Sequence, residues 1–138
     1  DRKLFLFDTF IGLPELSDTD THFGKKHWKK NQFNDTSLEA VKDYLSSYEN
    51  VQIIKGEFPK TADSIGDSKF SFVHLDVDLY RSTIECLKFF YPRLVKGGII
   101  LVHDYFADGI QKAFKEFRQS NKIQLIELTG SQCMIIKN

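Results

Sequence analysis

The stretch FSFVHLDVDLYRSTIECLKFFYPRLVKGGIILVHD, residues 70–104, decides the fold. It opens with a β-rich run, Phe70 to Asp76, that reads as a strand closed by acids at Asp76 and Asp78. Ile84, Leu87, Tyr91 and Leu94 then share one helical face, which predicts a helix over about 81–94. Lys96-Gly97-Gly98 is its expected stop, acting as a C-terminal glycine cap. Gly98 to His103 is apolar on both faces, as suits a central parallel strand covered by helices, and Asp104 follows it. Strand, helix and strand in this order predict a right-handed crossover in a parallel sheet.

The same logic extends in both directions. Upstream, residues 3–8 form a short apolar run ending in Asp8, which predicts a buried strand. A polar segment over 11–35 follows, too long for a plain connection, and its 15–35 portion is expected to serve as an acceptor or lid loop. Thr36-Ser37-Leu38-Glu39 fits a capping box with Thr36 as the cap, leading into a helix marked by Leu38, Val41, Leu45 and Tyr48. Val51 to Ile54 is a second strand, closed by Gly56, and a short helix is expected near 60–65. Downstream, Ile110, Ala113, Phe114 and Phe117 mark another helix. Residues 123–128 and 133–137 are β-rich runs joined by a turn, too close together for a crossover, and so form an antiparallel hairpin. The fold class is α/β in a single domain over 1–138: a mostly parallel sheet with a C-terminal antiparallel hairpin.

Composition narrows the function. Nineteen basic residues balance nineteen acidic ones, so the chain lacks the charge excess expected of a partner for nucleic acid or an anionic membrane. No apolar run reaches the roughly 18 residues of a membrane span, and no secretory signal opens the chain. A soluble, cytoplasmic protein is the expectation. Cys86 and Cys133 form no metal-binding or redox spacing and read as buried thiols. The chain opens on Asp1, its single methionine is Met134, and strand-like sequence begins at Leu4; a fragment, trimmed product or processed form is therefore expected.

In open α/β sheets, ligands gather at the carboxyl ends of the strands. Three strands here end in acids: Asp8, Asp76 with Asp78, and Asp104 preceded by His103. Carboxylates and an imidazole converging from separate strands suit a divalent cation. His103 is a candidate ligand or general base. His74, mid-strand, reads as structural, and Asp78 as an anchor for the turn into the next helix. Lys25 to Lys30 set a basic cluster around His27 and Trp28, which could stack on a sugar or a phosphorylated acceptor or simply form a solvated loop.

Several blocks carry a family likeness. Phe7-Asp8-Thr9-Phe10-Ile11-Gly12-Leu13-Pro14, Lys55-Gly56-Glu57-Phe58-Pro59-Lys60-Thr61, Leu75-Asp76-Val77-Asp78-Leu79-Tyr80-Arg81-Ser82-Thr83, Tyr91 to Gly98 and Val102-His103-Asp104-Tyr105, with Ala113 and Phe117-Arg118 beyond, appear in order. Together they resemble the macrocin O-methyltransferase (TylF-like) family over nearly the whole chain. That resemblance implies a Rossmann-like class I methyltransferase sheet that lacks its first strand and helix here. It implies S-adenosylmethionine as methyl donor, a sugar or natural-product hydroxyl as acceptor, and a magnesium ion. By position, Asp8 looks like the acid that holds the cofactor ribose, with Thr9, Phe10 and Gly56 as further cofactor contacts. Asp76, His103 and Asp104 look like the metal set, with Asp76 and His103 as the catalytic pair. Where the family carries paired aspartates, the first is His103 in this chain, a donor that favours manganese, iron or zinc over magnesium.

The glycine-rich cofactor turn of the family has no counterpart in these residues, so weak cofactor binding and little activity are expected of this chain alone, and an open sheet edge could pair into a homodimer. Two alternatives remain. A truncated methyltransferase-like domain could persist as a non-catalytic binding module. Asp76-Val77-Asp78 also resembles the strand-terminal acid pair of haloacid dehalogenase-like phosphohydrolases.

Overall fold

The computed structural model describes residues 2–138, in two compact units: residues 2–16 with Lys29–Gly66, and Ser17–Trp28 with Asp67–Asn138. The first unit holds strands β1 (Leu4–Asp8) and β4 (Val51–Lys55) and helix α1 (Leu38–Tyr44). The second holds β2 (Thr21–His22), β3 (Lys25–Lys26), β5 (Phe70–Leu75), α2 (Tyr80–Phe90), β6 (Leu94–Val102), α3 (Asp108–Ser120), β7 (Leu125–Glu127) and β8 (Cys133–Ile136).

In the first unit β1 and β4 pair in parallel, from Leu4 opposite Val51 to Asp8 opposite Lys55. β1 is less enclosed than its apolar run predicts, and none of its residues is fully buried. The helix begins one residue later than the capping box suggests. Ser37, not Thr36, is the cap, and its hydroxyl accepts from the Ala40 amide at 3.1 Å. α1 buries no residue completely, so this cap is a sizeable part of its stability. Ser37→Ala is expected to lower stability by about 1 kcal/mol while Thr36→Ala stays near neutral, as denaturant melts of the two variants would show.

The second unit contains the predicted crossover. β5 and β6 are parallel, with Val73 opposite Ile100 and Leu75 opposite Val102, and α2 connects them. β6 then pairs antiparallel with β8, and β8 with β7, giving the order β5-β6-β8-β7. The C-terminal hairpin is as expected, but the sheet is mixed, only partly parallel. Gly97-Gly98 does not cap a helix. α2 stops at Phe90, a 3₁₀ turn over Tyr91–Arg93 follows, and the glycines sit in a bulge of β6. There the register jumps from Phe70 opposite Leu94 to Phe72 opposite Ile99. Pro92 accounts for the early stop, because its ring cannot continue the helical hydrogen bonding.

The core lies under one face of this sheet. Leu75, Ile100, Val102, Cys133 and Ile135 are buried against Leu87 of α2 and Ile110, Phe114 and Phe117 of α3. The other face of β6 is only half-buried at Ile99 and Leu101, short of the double cover that its composition predicts. On β5, Phe72 and His74 are exposed, so His74 takes no part in the core. Burial pushes the thiols of Cys86 and Cys133 up to about 12, which keeps them protonated and inert. Among the described residues no helix is long and apolar enough to cross a membrane.

Candidate functional site

The parallel register of β5 and β6 sets two strand ends side by side. The His103 amide donates to the Leu75 carbonyl at 2.9 Å, carrying the ladder one step beyond the paired residues. Asp76 therefore follows the end of β5, and His103 and Asp104 follow the end of β6. One ligand atom from each of Asp76, His103 and Asp104 falls within 4.8 Å of the other two. His103 Nδ1 lies 2.9 Å from Asp104 Oδ2 and 3.5 Å from Asp76 Oδ1. Asp76 remains exposed, while His103 and Asp104 are half-buried.

Asp78, expected as a strand-end acid beside Asp76 and an anchor of the following turn, interacts with the same cluster. Burial, then the charges of Asp104 and Asp76 and a hydrogen bond with Asp104, push its carboxyl up to about 7, against the opposing pull of a hydrogen bond from Trp28. Burial and the crowding by neighbouring acids thus favour the protonated form of the Asp78 carboxyl. His103 is raised in turn, first by its hydrogen bond to Asp104, with the charges of Asp104, Asp76 and Asp78 adding and desolvation opposing. Among the described residues no lysine or arginine forms an ion pair with any of these three acids. Concentrated negative charge with no lysine or arginine paired to it suits a divalent ion, and carboxylates with an imidazole are a suitable donor set.

Backbone conformation points to the same residues. Asp78 and Asp104 both adopt left-handed φ, at 57° and 53°. This region costs an L-residue about 1 kcal/mol or more, and such strain persists mainly where geometry serves function.

A pinned loop flanks the cluster. Asp20 is 3% exposed; its Oδ1 accepts from the Tyr80 amide at the start of α2 at 2.7 Å, and its Oδ2 accepts from the amide and hydroxyl of Ser17. Asp108 accepts from the Thr21 hydroxyl at 2.7 Å and the Gly24 amide at 2.8 Å, and these bonds hold its carboxyl below the usual range. The basic segment around Trp28 is divided by these contacts. Lys25 and Lys26 are exposed on β3, whereas Trp28 is buried and donates its indole N–H to Asp78. Sequence reasoning passed over Asp20, Asp108 and the two-residue strands β2 and β3. The only available signal was a run of short polar residues, which is equally compatible with an open loop.

The expected cofactor residues lie together in the first unit. Asp8 ends β1, its Oδ1 accepts from the Phe10 amide at 2.6 Å, and Phe10 is left-handed at 55°. The Gly56 amide donates to the Asp8 carbonyl at 2.9 Å. Gly56 has φ at 138°, which strains any L-residue, and a Cβ there would also meet Thr61 Cγ2 at 2.6 Å. The neighbouring Thr61 Oγ1 is buried without a hydrogen-bond partner among the described residues, a polar atom that a ligand could satisfy. Asp76, His103 and Asp104 are thus brought together in one unit, and Asp8, Thr9, Phe10 and Gly56 in the other.

Comparison with known proteins follows the same lines. Residues 1–130 match the family model described as Macrocin-O-methyltransferase (TylF). Mycinamicin III 3''-O-methyltransferase of Micromonospora griseorubida is 28% identical over 139 residues, covering 93% of this chain and 54% of that protein. The 8-demethyl-8-(2,3-dimethoxy-alpha-L-rhamnosyl)-tetracenomycin-C 4'-O-methyltransferase of Streptomyces olivaceus is 29% identical over 140 residues, covering 94% of this chain and 53% of that protein. The chain therefore spans about half the length of these relatives. Among solved structures, the O-methyltransferase NovP matches with a TM-score of 0.82 at 23% identity, covering 100% of this chain and 61% of NovP. The calicheamicin methyltransferase CalS11 matches at 0.80 and 19% identity, covering 98% and 60%. At these identities the structural matches establish a Rossmann-like methyltransferase fold.

Proposed function

The chain belongs to the macrocin O-methyltransferase (TylF) family, and on that premise we propose that it carries the acceptor and metal half of an S-adenosylmethionine-dependent O-methyltransferase acting on a sugar or natural-product hydroxyl. The observation that carries this reading is the meeting of Asp76, His103 and Asp104 at two neighbouring strand ends. These three residues would hold a divalent cation, and Asp8, Thr9, Phe10 and Gly56 would contact the methyl donor. When bound, the cation would supply Lewis-acid polarisation of the acceptor oxygen, and S-adenosylmethionine an electrophilic methyl group.

The chain's own residues do the rest. The acceptor hydroxyl gives its proton to Asp76 or to His103, the two groups proposed as base. Asp104 fixes the imidazole through Nδ1, an arrangement that leaves Nε2 as the second ring nitrogen. Asp78 interacts with both Asp104 and Trp28 and so joins the acids to the neighbouring loop. Asp8 would accept the ribose hydroxyls of the methyl donor.

The test is transfer of labelled methyl from S-adenosylmethionine to a rhamnose-bearing acceptor after chelation and readdition of magnesium, manganese or zinc. Activity that vanishes with the chelator and returns with one of these ions is the expected result. Methyl transfer that is indifferent to chelation would remove the metal from the reading.

A further inference from the structure

Phe23 occupies the tip of the β2–β3 hairpin with φ at 51°, and Gly24 follows at 72°. Two successive left-handed residues make the mirror-image turn favoured by tight hairpins, and asparagine or glycine is the usual occupant of such places. A phenylalanine in the first of them is strained, and burial offers no explanation, because the residue is 74% exposed. Its ring lies 4.4 Å from that of His22, which lies 5.5 Å from His27. The tip is also firmly held. Asp108 grips both sides of the turn, and His22 forms a β-bridge with Ala107. Trp28 sets its ring edgewise to His22 and His27 and bonds to Asp78 of the acid cluster. An exposed aromatic surface is thereby tied to the acids through a short run of packed rings.

We propose that Phe23 and His22 form the platform that recognises the acceptor, stacking against the apolar C–H face of a pyranose ring. The imidazoles of His22 and His27 offer hydrogen bonds to its hydroxyls. This inference rests on the reading of the chain as a sugar O-methyltransferase, and it names residues of that site that stacking would require. A strained, exposed ring fastened at both sides is a fixed recognition surface, whereas a mobile lid would have few such ties.

The probe is methyl α-L-rhamnopyranoside, whose 6-methyl group enlarges the apolar face. The readout is the indole N–H resonance of Trp28, the only tryptophan in the chain, together with the amides of His22 to Gly24. The parent protein is expected to show saturable shifts in the millimolar range. Phe23→Asn should weaken binding about tenfold or more through loss of the ring, yet raise the melting temperature by about 2 °C or more through relief of strain. Phe23→Tyr should bind as the parent does. Absence of saturable shifts in the parent, parent-like binding by the asparagine variant, or a lower melting temperature for that variant would each overturn the platform. Binding that behaves as expected, with no methylated sugar formed in the presence of methyl donor and metal, would instead sink the proposed reaction and leave the platform standing.

Discussion

Asp76→Asn is expected to lower methyl transfer by about 10²–10³-fold, the usual cost of removing one preorganised charge from a site of developing charge. The substitution keeps the shape of the side chain and removes only its charge and proton affinity. Both proposed duties of the residue fail together: an amide is a weak metal donor, and it cannot take the hydroxyl proton. Manganese titration by calorimetry should show a loss of affinity of about tenfold or more, independently of turnover.

Folding should not suffer. The Asp76 side chain is 57% exposed, and its charge opposes those of Asp78 and Asp104. The relief of repulsion with Asp78 offsets the loss of a largely exposed pairing with His103, so the variant should melt close to the parent temperature. Lost activity with retained stability is the signature of a functional group, because a structural residue would lose both. An Asp76→Asn protein that transfers methyl groups and binds manganese as the parent does would remove Asp76 from the site.

Residues 70–104 show why the framework of this fold is legible in sequence. A β-rich run, a helical face begun by Ile84 and Leu87, and a continuous apolar run are local patterns, and they became β5, α2 and β6, although Tyr91 and Leu94 of the expected face fell beyond the helix. The parallel pairing followed from the helix between them, and pairing alone placed Asp76 beside His103 and Asp104. Boundaries set by competition were harder to read. Lys96-Gly97-Gly98 has the composition of a helix cap, but Pro92 had already stopped α2, which left the glycines for a bulge. Thr36 and Ser37 are equally good caps by type, and only the chain's path chose Ser37.

The loop over 17–28 was illegible for a different reason. Its order comes from residues distant in sequence: Asp20 bonds Tyr80, Thr21 and Gly24 bond Asp108, and Trp28 bonds Asp78. No local period records such contacts. Asp78 was legible as a strand-end acid, but its raised carboxyl was not, because that depends on burial and on Asp104 from another strand.

Asp20→Ala is the substitution with the largest expected effect on stability. The residue preceding α2, Leu79, offers no side-chain oxygen, so the cap comes from Asp20, sixty positions away. One carboxylate satisfies the Tyr80 amide with one oxygen and the Ser17 amide and hydroxyl with the other. It also packs closely on α3: a Cβ on Gly109 would meet Asp20 Oδ1 at 2.9 Å. Alanine leaves these donors without their acceptor in a nearly closed space. Charge-assisted bonds of this kind contribute about 1.5–3 kcal/mol each, and losses that share one carboxylate are less than additive, giving a total of about 3–4 kcal/mol. For a chain of this length that is a fall of about 10 °C in melting temperature. Asp20→Asn keeps one oxygen acceptor and should lose roughly half as much. The hairpin should loosen with the cap, because its neighbour Asp20 no longer ties the loop to α2, and the amides of His22 to Gly24 should then exchange faster with solvent. An alanine variant that melts within about 2 °C of the parent would mean that the loop is held without this carboxylate.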